Sequence, residues 1–275
     1  MDLSRLCVHT ITTKPWSIEV AMDKYAEAGI VGITVWRQAL EGRDIAKVGE
    51  ELRARNLAII SLCRGGFFPA KTATGLAEAI EDNRRAIREA AALGAPLVVL
   101  VPGAVPGQAL AESRKQIAEG IAAVLPLAEE LGVRLGIEPL HPMYADDRSA
   151  LNTMASANAL CDLLDHPLVG IAADAYHIWW DPDLAEQIAI AGEKGRLFAF
   201  HICDWLTPPT DLLNDRGLMG EGCIDLPGMR AMVEAAGFDG FHEVEIFSNR
   251  WWAADQDEFL QAINESYLAF SDFAI

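Results

Sequence analysis

The chain has 275 residues, of which 51% are hydrophobic, and it carries a formal net charge of −18 at pH 7. This length fits one large α/β barrel or two smaller domains, and the composition excludes disordered, collagen-like and coiled-coil proteins. The negative charge repels phosphate backbones and anionic lipids, so it argues against nucleic acids and membranes as partners.

Short apolar segments alternate with longer segments of helical periodicity along the whole chain. This alternation is typical of repeated βα units around a parallel sheet. Strands are predicted at residues 6–8, 32–35, 57–62, 97–101, 133–138, 169–174, 197–201 and 241–246. Helices are predicted at residues 18–28, 44–55, 75–93, 108–131, 152–164, 184–192, 226–236 and 255–270. Eight such units predict an α/β fold with a single (β/α)8 TIM-barrel domain over residues 1–275.

The cysteine pattern and the N-terminal residues indicate in which cellular compartment the protein is expected. Five widely spaced cysteines without a C-x-x-C pair indicate reduced thiols rather than a disulfide framework. No apolar stretch approaches the roughly 20 residues that span a bilayer. The first residues lack the basic and apolar regions of a secretory signal. The sequence therefore predicts a cytoplasmic protein.

Functional residues of a TIM barrel lie at the C-terminal ends of its strands and in the following loops. All the tryptophans and most of the histidines fall at such predicted positions. They are Trp16, Trp36, Trp179, Trp180, Trp205, Trp251 and Trp252, with His9, His141, His177, His201 and His242. The tryptophans predict a pocket lined by indole rings. The segment from Arg64 to Phe68, after the third strand, is expected to form a loop or a lid over this pocket.

Four ionisable side chains interrupt apolar segments near the ends of the last four predicted strands. They are Glu138, Asp174, His201 and Glu245. Burying carboxylates without a compensating charge is expensive, so their convergence at one barrel mouth predicts a divalent cation. Three carboxylates and one imidazole suit Mn²⁺, Mg²⁺, Co²⁺ or Zn²⁺, and ligand type does not choose among them.

The ligand from the eighth strand is ambiguous between Glu243 and Glu245, because side chains two residues apart in a strand point the same way. Glu245 is preferred, since it lies deeper in the apolar run. Glu243 is expected to face the helices or to lie in a lower layer of the barrel.

Five motifs in the C-terminal half carry a resemblance to a known family. They run from Ile137 to Pro142, Asp174 to His177, His201 to Asp204, Gly220 to Asp225 and Val244 to Phe247. Together they resemble the sugar phosphate isomerase/epimerase superfamily of xylose isomerase-like TIM barrels, and within it the inosose isomerase-like proteins.

This resemblance implies that Glu138, Asp174, His201 and Glu245 bind one divalent metal ion, and that Glu138 and Glu245 also form an acid/base pair. It implies substrate contacts from His177 and Arg216. Three residues at strand ends are further expected substrate contacts: His9, Trp36 and His141. The implied reaction is isomerisation or epimerisation of a sugar, ketose or cyclitol by proton transfer through a metal-stabilised cis-enediolate.

Two alternatives stay open at this stage. The same enolate chemistry serves a metal-dependent dehydratase of inosose or 3-dehydroshikimate, and a sugar-binding barrel without turnover is the non-enzymatic alternative. An endonuclease of the same superfamily is disfavoured by the charge of −18. The net charge also favours a neutral sugar or cyclitol over a phosphorylated substrate. Trp251 and Trp252 are expected either to cap the site or to contact a neighbouring subunit in a homo-oligomer.

Overall fold

In the computed structural model, which describes residues 2–271, the apolar runs of the sequence form a closed barrel of eight parallel strands. The strands are β1 (Leu6–His9), β2 (Gly32–Trp36), β3 (Ala58–Gly66), β4 (Leu97–Val101), β5 (Arg134–Ile137), β6 (Val169–Asp174), β7 (Leu197–Ile202) and β8 (His242–Val244). Each strand pairs with its neighbour in the chain, and β8 pairs with β1 to close the barrel. The predicted TIM-barrel fold is confirmed. Residues 1 and 272–275 of the predicted domain lie outside the described residues.

The connecting segments contain the helices, which are α1 (Ile18–Glu27), α2 (Ile45–Ala54), α3 (Ala73–Leu93), α4 (Leu110–Leu131), α5 (Met154–Leu164), α6 (Ala175–Ile178), α7 (Leu184–Glu193), α8 (Leu226–Ala235), α9 (Asn249–Trp252) and α10 (Gln256–Ser271). Short 3₁₀ turns cover Arg37–Leu40 and Pro142–Tyr144. Ser17, Asp44, Thr72 and Thr153 cap helices through their side-chain oxygens. None of the helices within residues 2–271 combines the length and apolarity needed to cross a membrane.

Alternate residues of each strand face two different apolar regions. Val98 and Leu100 of β4 pack in the main core between the strands and the helices, whereas Leu97 and Val99 belong to a smaller separate cluster. This cluster also contains Cys63, Ala172 and Ala199 of other strands. Because successive strand side chains point to opposite faces, the smaller cluster fills the inside of the barrel. It forms an apolar layer within the barrel.

Two strand boundaries differ from the prediction in ways that shape the barrel mouth. Strand β3 continues to Gly66 rather than ending at residue 62, so the expected loop after Arg64 is partly strand. Strand β8 ends at Val244, so Glu245 lies just beyond it. Likewise β5 ends at Ile137, directly before Glu138 and Pro139. Proline has no N–H to donate to a neighbouring strand, which explains why this pairing stops.

Candidate metal centre and active site

The four predicted metal ligands come together at the C-terminal mouth of the barrel. Glu138, Asp174, His201 and Glu245 belong to the ends of β5, β6, β7 and β8, which are consecutive neighbours in the sheet. Each side chain offers one ligand atom, and these atoms all lie within 4.8 Å of one another. All four residues are at most 4% exposed. The barrel therefore brings together residues that are far apart in sequence.

The polar atoms of this cluster fit a cation. Nδ1 of His201 lies 3.0 Å from Oε1 of Glu138, yet neither atom forms a hydrogen bond with any residue in the range 2–271, and neither does Nε2 of His201. Buried polar atoms without partners are rare in folded proteins. Three carboxylates and one imidazole are a donor set for Mn²⁺, Mg²⁺, Co²⁺ or Zn²⁺. The residues present thus fit a divalent metal ion.

The two candidate acid/base carboxyl groups have opposite electrostatic surroundings. Burial, with the nearby Glu245 carboxylate, raises the pKa of Glu138 to about 7. Burial also opposes ionisation of Glu245, but the Arg216 guanidinium and His9 hold the pKa of Glu245 well below its usual range. A carboxyl pair with pKa values shifted in opposite directions is typical of acid/base sites.

Arg216 connects three site residues. Its Nη1 atom donates to Oδ2 of Asp174 at 3.0 Å and to Oε2 of Glu245 at 2.8 Å, and its Nη2 atom lies 3.2 Å from Nε2 of His177. Burial and the Arg216 charge lower the pKa of His177 well below its usual range. Arg216 is 3% exposed, so it is a buried site residue and not a solvated loop arginine.

The loop after β7 positions Arg216. Asp204–Trp205 and Arg216–Gly217 form a two-stranded antiparallel ribbon. The Asp204 carboxylate accepts hydrogen bonds from the backbone N–H groups of Trp205, Gly220 and Ile224. The Arg216 guanidinium also lies over the ring of Tyr176, with its carbon 4.4 Å from the ring centroid. Both features hold the arginine over the barrel mouth.

A second polar layer lies inside the barrel beneath Glu245. Nδ1 of His9 is 3.0 Å from Oε1 of Glu245, and Nε2 of His9 is 3.1 Å from Oε2 of Glu243. Thr34 donates a hydrogen bond to Glu243 at 2.6 Å, and Ser61 lies 3.4 Å from the same carboxylate oxygen. Glu243 therefore lies in a lower layer and does not face the helices. Sequence reasoning missed Thr34 and Ser61, although both are polar residues in otherwise apolar strands.

A cavity of about 190 Å³ opens at the mouth of the barrel. Four predicted site residues besides Trp36 line it, namely Glu138, His177, Arg216 and Glu245. Its volume is below the roughly 300–1,000 Å³ of pockets that hold drug-sized ligands. The cavity therefore suits a small metabolite.

The structure shows the surroundings of the aromatic and histidine residues that the sequence singled out. Trp36 is the single tryptophan among the cavity residues in the described part of the chain, so the pocket is not lined by several indoles. His9 is fully buried beneath Glu245 and does not line the cavity. His141 packs against Trp205, with ring centroids 4.9 Å apart, and its backbone N–H points to Nδ1 of His177. Strand position alone did not reveal these contacts.

His242 lies at the opposite end of the barrel from the site. It is the first residue of β8, and its Nδ1 atom is 3.0 Å from the hydroxyl oxygen of Tyr267. The prediction that it lies at the C-terminal end of a strand was wrong, because His242 is at the N-terminal end of β8. His242 is thus a structural residue of the lower barrel.

Comparisons with known proteins identify the family. The profile described as "Xylose isomerase-like TIM barrel" matches residues 22–265, and the chain belongs to this family. Inosose isomerase of Bacillus velezensis is 25% identical over 231 residues, which cover 82% of this chain and 80% of that protein. The predicted family resemblance and the prediction of an enzyme are confirmed.

Solved structures agree with this family. The crystal structure of protein SMc04130 from Sinorhizobium meliloti 1021 has 48% sequence identity and a TM-score of 0.94, and the match covers 98% of both chains. The IolI protein, crystallised with a bound zinc atom, has 21% identity and a TM-score of 0.86 over 98% of this chain and 100% of that chain. At this identity the likeness to IolI shows the shared fold alone.

Proposed function

We propose that this protein is a divalent-metal-dependent isomerase or epimerase that acts on a sugar, ketose or cyclitol. The observation that carries the proposal is the placement of two buried carboxyl groups, Glu138 and Glu245, in a cation-type donor set on the wall of a small cavity. The inosose isomerase relative and the zinc-containing IolI structure support it.

The metal would be held by Glu138, Asp174, His201 and Glu245. When bound, a divalent cation supplies Lewis-acid stabilisation for negative charge that develops on substrate oxygens. Arg216 offsets part of the negative charge of Asp174 and Glu245 and holds one oxygen of each through its Nη1 atom. His9 holds the other oxygen of Glu245 from below. These contacts restrict the carboxylates to one geometry before substrate binds, which is the requirement for efficient proton transfer.

Glu138 and Glu245 move the proton. One carboxylate removes a proton from the carbon beside the substrate carbonyl, and the other carboxyl group returns a proton to the substrate. Return to the opposite face of the same carbon inverts its configuration, whereas return to the neighbouring carbon exchanges the carbonyl and hydroxyl positions. Proton transfer by positioned side chains typically contributes 10²–10⁴-fold to the rate.

Deuterium exchange tests this proposal without knowledge of the product. Metal-free protein is reconstituted with Mn²⁺, Co²⁺, Mg²⁺ or Zn²⁺ and incubated in D₂O with ketohexoses, pentuloses, keto acids of sugars and inososes. We expect one substrate class to incorporate deuterium at a carbon next to its carbonyl group, and only when metal is present. NMR measures this incorporation. Full exchange in thoroughly metal-free protein would overturn the metal role. Absence of exchange with every metal and substrate would overturn the proposed chemistry.

A further inference from the structure

Two arginines on the cavity wall have no acidic partner among the residues that the structure describes. Arg64 and Arg148 line the same cavity as Glu138 and Glu245. Neither guanidinium forms an ion pair or a hydrogen bond with another side chain or backbone group in the range 2–271. Arg216, the third arginine of the cavity, differs because it is bonded to Asp174 and Glu245. Two unpaired cations at one site are notable in a chain with 40 acidic and 22 basic residues.

An irregularity of β3 places Arg64 at the mouth. The pairing of β3 with β4 shifts between Cys63 and Gly65, so Arg64 is an extra residue without a partner on β4. Such bulges change the direction of a side chain and are frequent next to active sites. Asn83 of α3 fixes the end of the strand, because its side chain bonds the backbone N–H of Gly66 at 2.6 Å and the carbonyl of Gly66 at 2.7 Å.

A separate contact places Arg148 beside Arg64. Arg148 lies in the loop after β5, and this loop is held against the loop after β4 at Gly103. The backbone N–H of Gly103 donates to the carbonyl of Arg148 at 2.9 Å, and the N–H of Ala150 donates to the carbonyl of Gly103 at 3.0 Å. Both side chains line the one cavity, and burial, together with the positive charge of Arg148, lowers the pKa of Arg64.

Aromatic rings support both guanidinium groups. The guanidinium carbon of Arg64 lies 4.1 Å from the ring centroid of Phe67, and that of Arg148 lies 5.8 Å from the ring centroid of Tyr144. A ring face attracts a cation without neutralising it or occupying its N–H donors in the guanidinium plane. Both groups are therefore held in position while their N–H groups stay available to a ligand.

We propose that Arg64 and Arg148 together bind an anionic group of the substrate, so that the sugar processed at this site carries a carboxylate or a phosphate. The guanidinium fork matches either group in bidentate geometry. The inference rests on the proposed function, which places the reacting carbons at Glu138 and Glu245. A divalent ion and Arg216 balance the three ligand carboxylates, and this leaves the charges of Arg64 and Arg148 for the substrate.

This proposal reverses the expectation of a neutral substrate that the net charge suggested. The charge of −18 is a sum over the whole surface, whereas a ligand in a narrow cleft experiences the local field of the groups around it. That local field is positive on the side of the cavity formed by Arg64 and Arg148.

Binding measurements on matched sugars test the subsite. D-fructose, D-fructose 6-phosphate and 2-keto-D-gluconate are titrated by calorimetry into both metal-free and Mn²⁺-loaded protein. We expect at least one anionic sugar to bind about tenfold or more tightly than fructose, because charge-assisted hydrogen bonds are worth more than neutral ones. The comparison of D-fructose 6-phosphate with 2-keto-D-gluconate shows whether the arginines bind a phosphate or a carboxylate. Equal affinities, or no binding of either anionic sugar, would overturn the proposal.

Variants assign the effect to the two arginines. Arg64→Gln and Arg148→Gln are each expected to weaken binding of the preferred anionic sugar about tenfold. Arg88→Gln is the matched control, because Arg88 is an exposed residue of α3 that pairs with Glu81. Arg64→Lys keeps the charge and should retain part of the affinity if Arg64→Gln perturbs folding. Unchanged affinity in both glutamine variants would refute the subsite.

These measurements separate the two proposals. Binding to metal-free protein requires no turnover, so a failed deuterium-exchange experiment would remove the proposed reaction and leave the anion subsite intact. Conversely, equal binding of neutral and anionic sugars would remove the subsite while metal-dependent exchange still supported the reaction.

Discussion

Glu243 and Glu245 are two residues apart and both point into the barrel, yet their surroundings give them different tasks. Glu243 accepts hydrogen bonds from Thr34 and contacts His9 and Ser61, so its charge is satisfied within the protein. Glu245 reaches the cavity and shares a donor cluster with Asp174 and His201. The sequence favoured Glu245 only by its position in the apolar run, because the residues that satisfy Glu243 come from β1, β2 and β3 and leave no local pattern.

Replacing each glutamate by glutamine distinguishes these tasks. Glu245→Gln should lower kcat about 10³-fold or more with the fold retained, because it removes both a ligand charge and a proton-transfer group. Glu243→Gln should lower kcat only about 10–100-fold, since Glu243 acts through His9. Steady-state kinetics of metal-loaded enzyme, with circular dichroism as the folding control, give the measurement. A larger loss in Glu243→Gln would identify Glu243 as the ligand from β8.

At the scale of elements, the backbones of β3 and β4 approach each other closely near the mouth of the barrel. Gly66 at the end of β3 has a φ of +99°, and a β-carbon built there would lie 1.8 Å from the carbonyl oxygen of Val101. Gly107, in the loop before α4, has a similar φ of +80° but open space around it. Comparing the two glycines therefore separates the cost of a positive φ from the cost of a steric clash with β4.

Alanine substitutions measure this difference. Gly107→Ala should cost about 1 kcal/mol of unfolding free energy, because an L-residue is strained at positive φ. Gly66→Ala should cost about 2 kcal/mol more, since the new methyl group displaces the backbone of β4. Urea unfolding of both variants checks the prediction. Equal losses would mean that β4 moves away without penalty.

The strands and loops around the cavity also show which parts of the site the sequence can predict. Glu138, Asp174, His201 and Glu245 could be predicted because a charged residue at the end of an apolar strand stands out against its neighbours. The anion subsite proposed at Arg64 and Arg148 could not be predicted in this way. It depends on a bulge in β3 and on a loop contact at Gly103, which are properties of the assembled barrel and leave no local pattern.

At the scale of the whole molecule, the end of the barrel opposite the site makes folding depend on pH. His242 is 1% exposed there. Burial and the nearby Arg5 and Arg230 guanidinium groups lower the pKa of His242 to about 4, against the opposing attraction of Glu234. The unfolded chain has a histidine pKa of about 6.5. Between these values the unfolded state binds a proton that the folded state does not.

The stability contributed by neutral His242 is therefore complete above pH 6.5 and falls as the pH drops toward 4. We expect this loss to be on the order of 2–3 kcal/mol. His242→Gln does not titrate, so its unfolding free energy should decline less than that of the wild type between pH 7.5 and pH 4.5. Urea unfolding at several pH values gives the comparison. Parallel curves for the two proteins would contradict the prediction.

The aromatic supports under Arg64 and Arg148 have a kinetic consequence. Because Phe67 and Tyr144 hold these cations without neutralising them, two positive charges face the cavity before any ligand arrives. The remainder of the surface carries a large excess of negative charge, which deflects anions from other approaches. For an anionic substrate of the proposed kind, salt that screens the attraction of these two arginines should slow association, whereas screening of the negative surface should speed it.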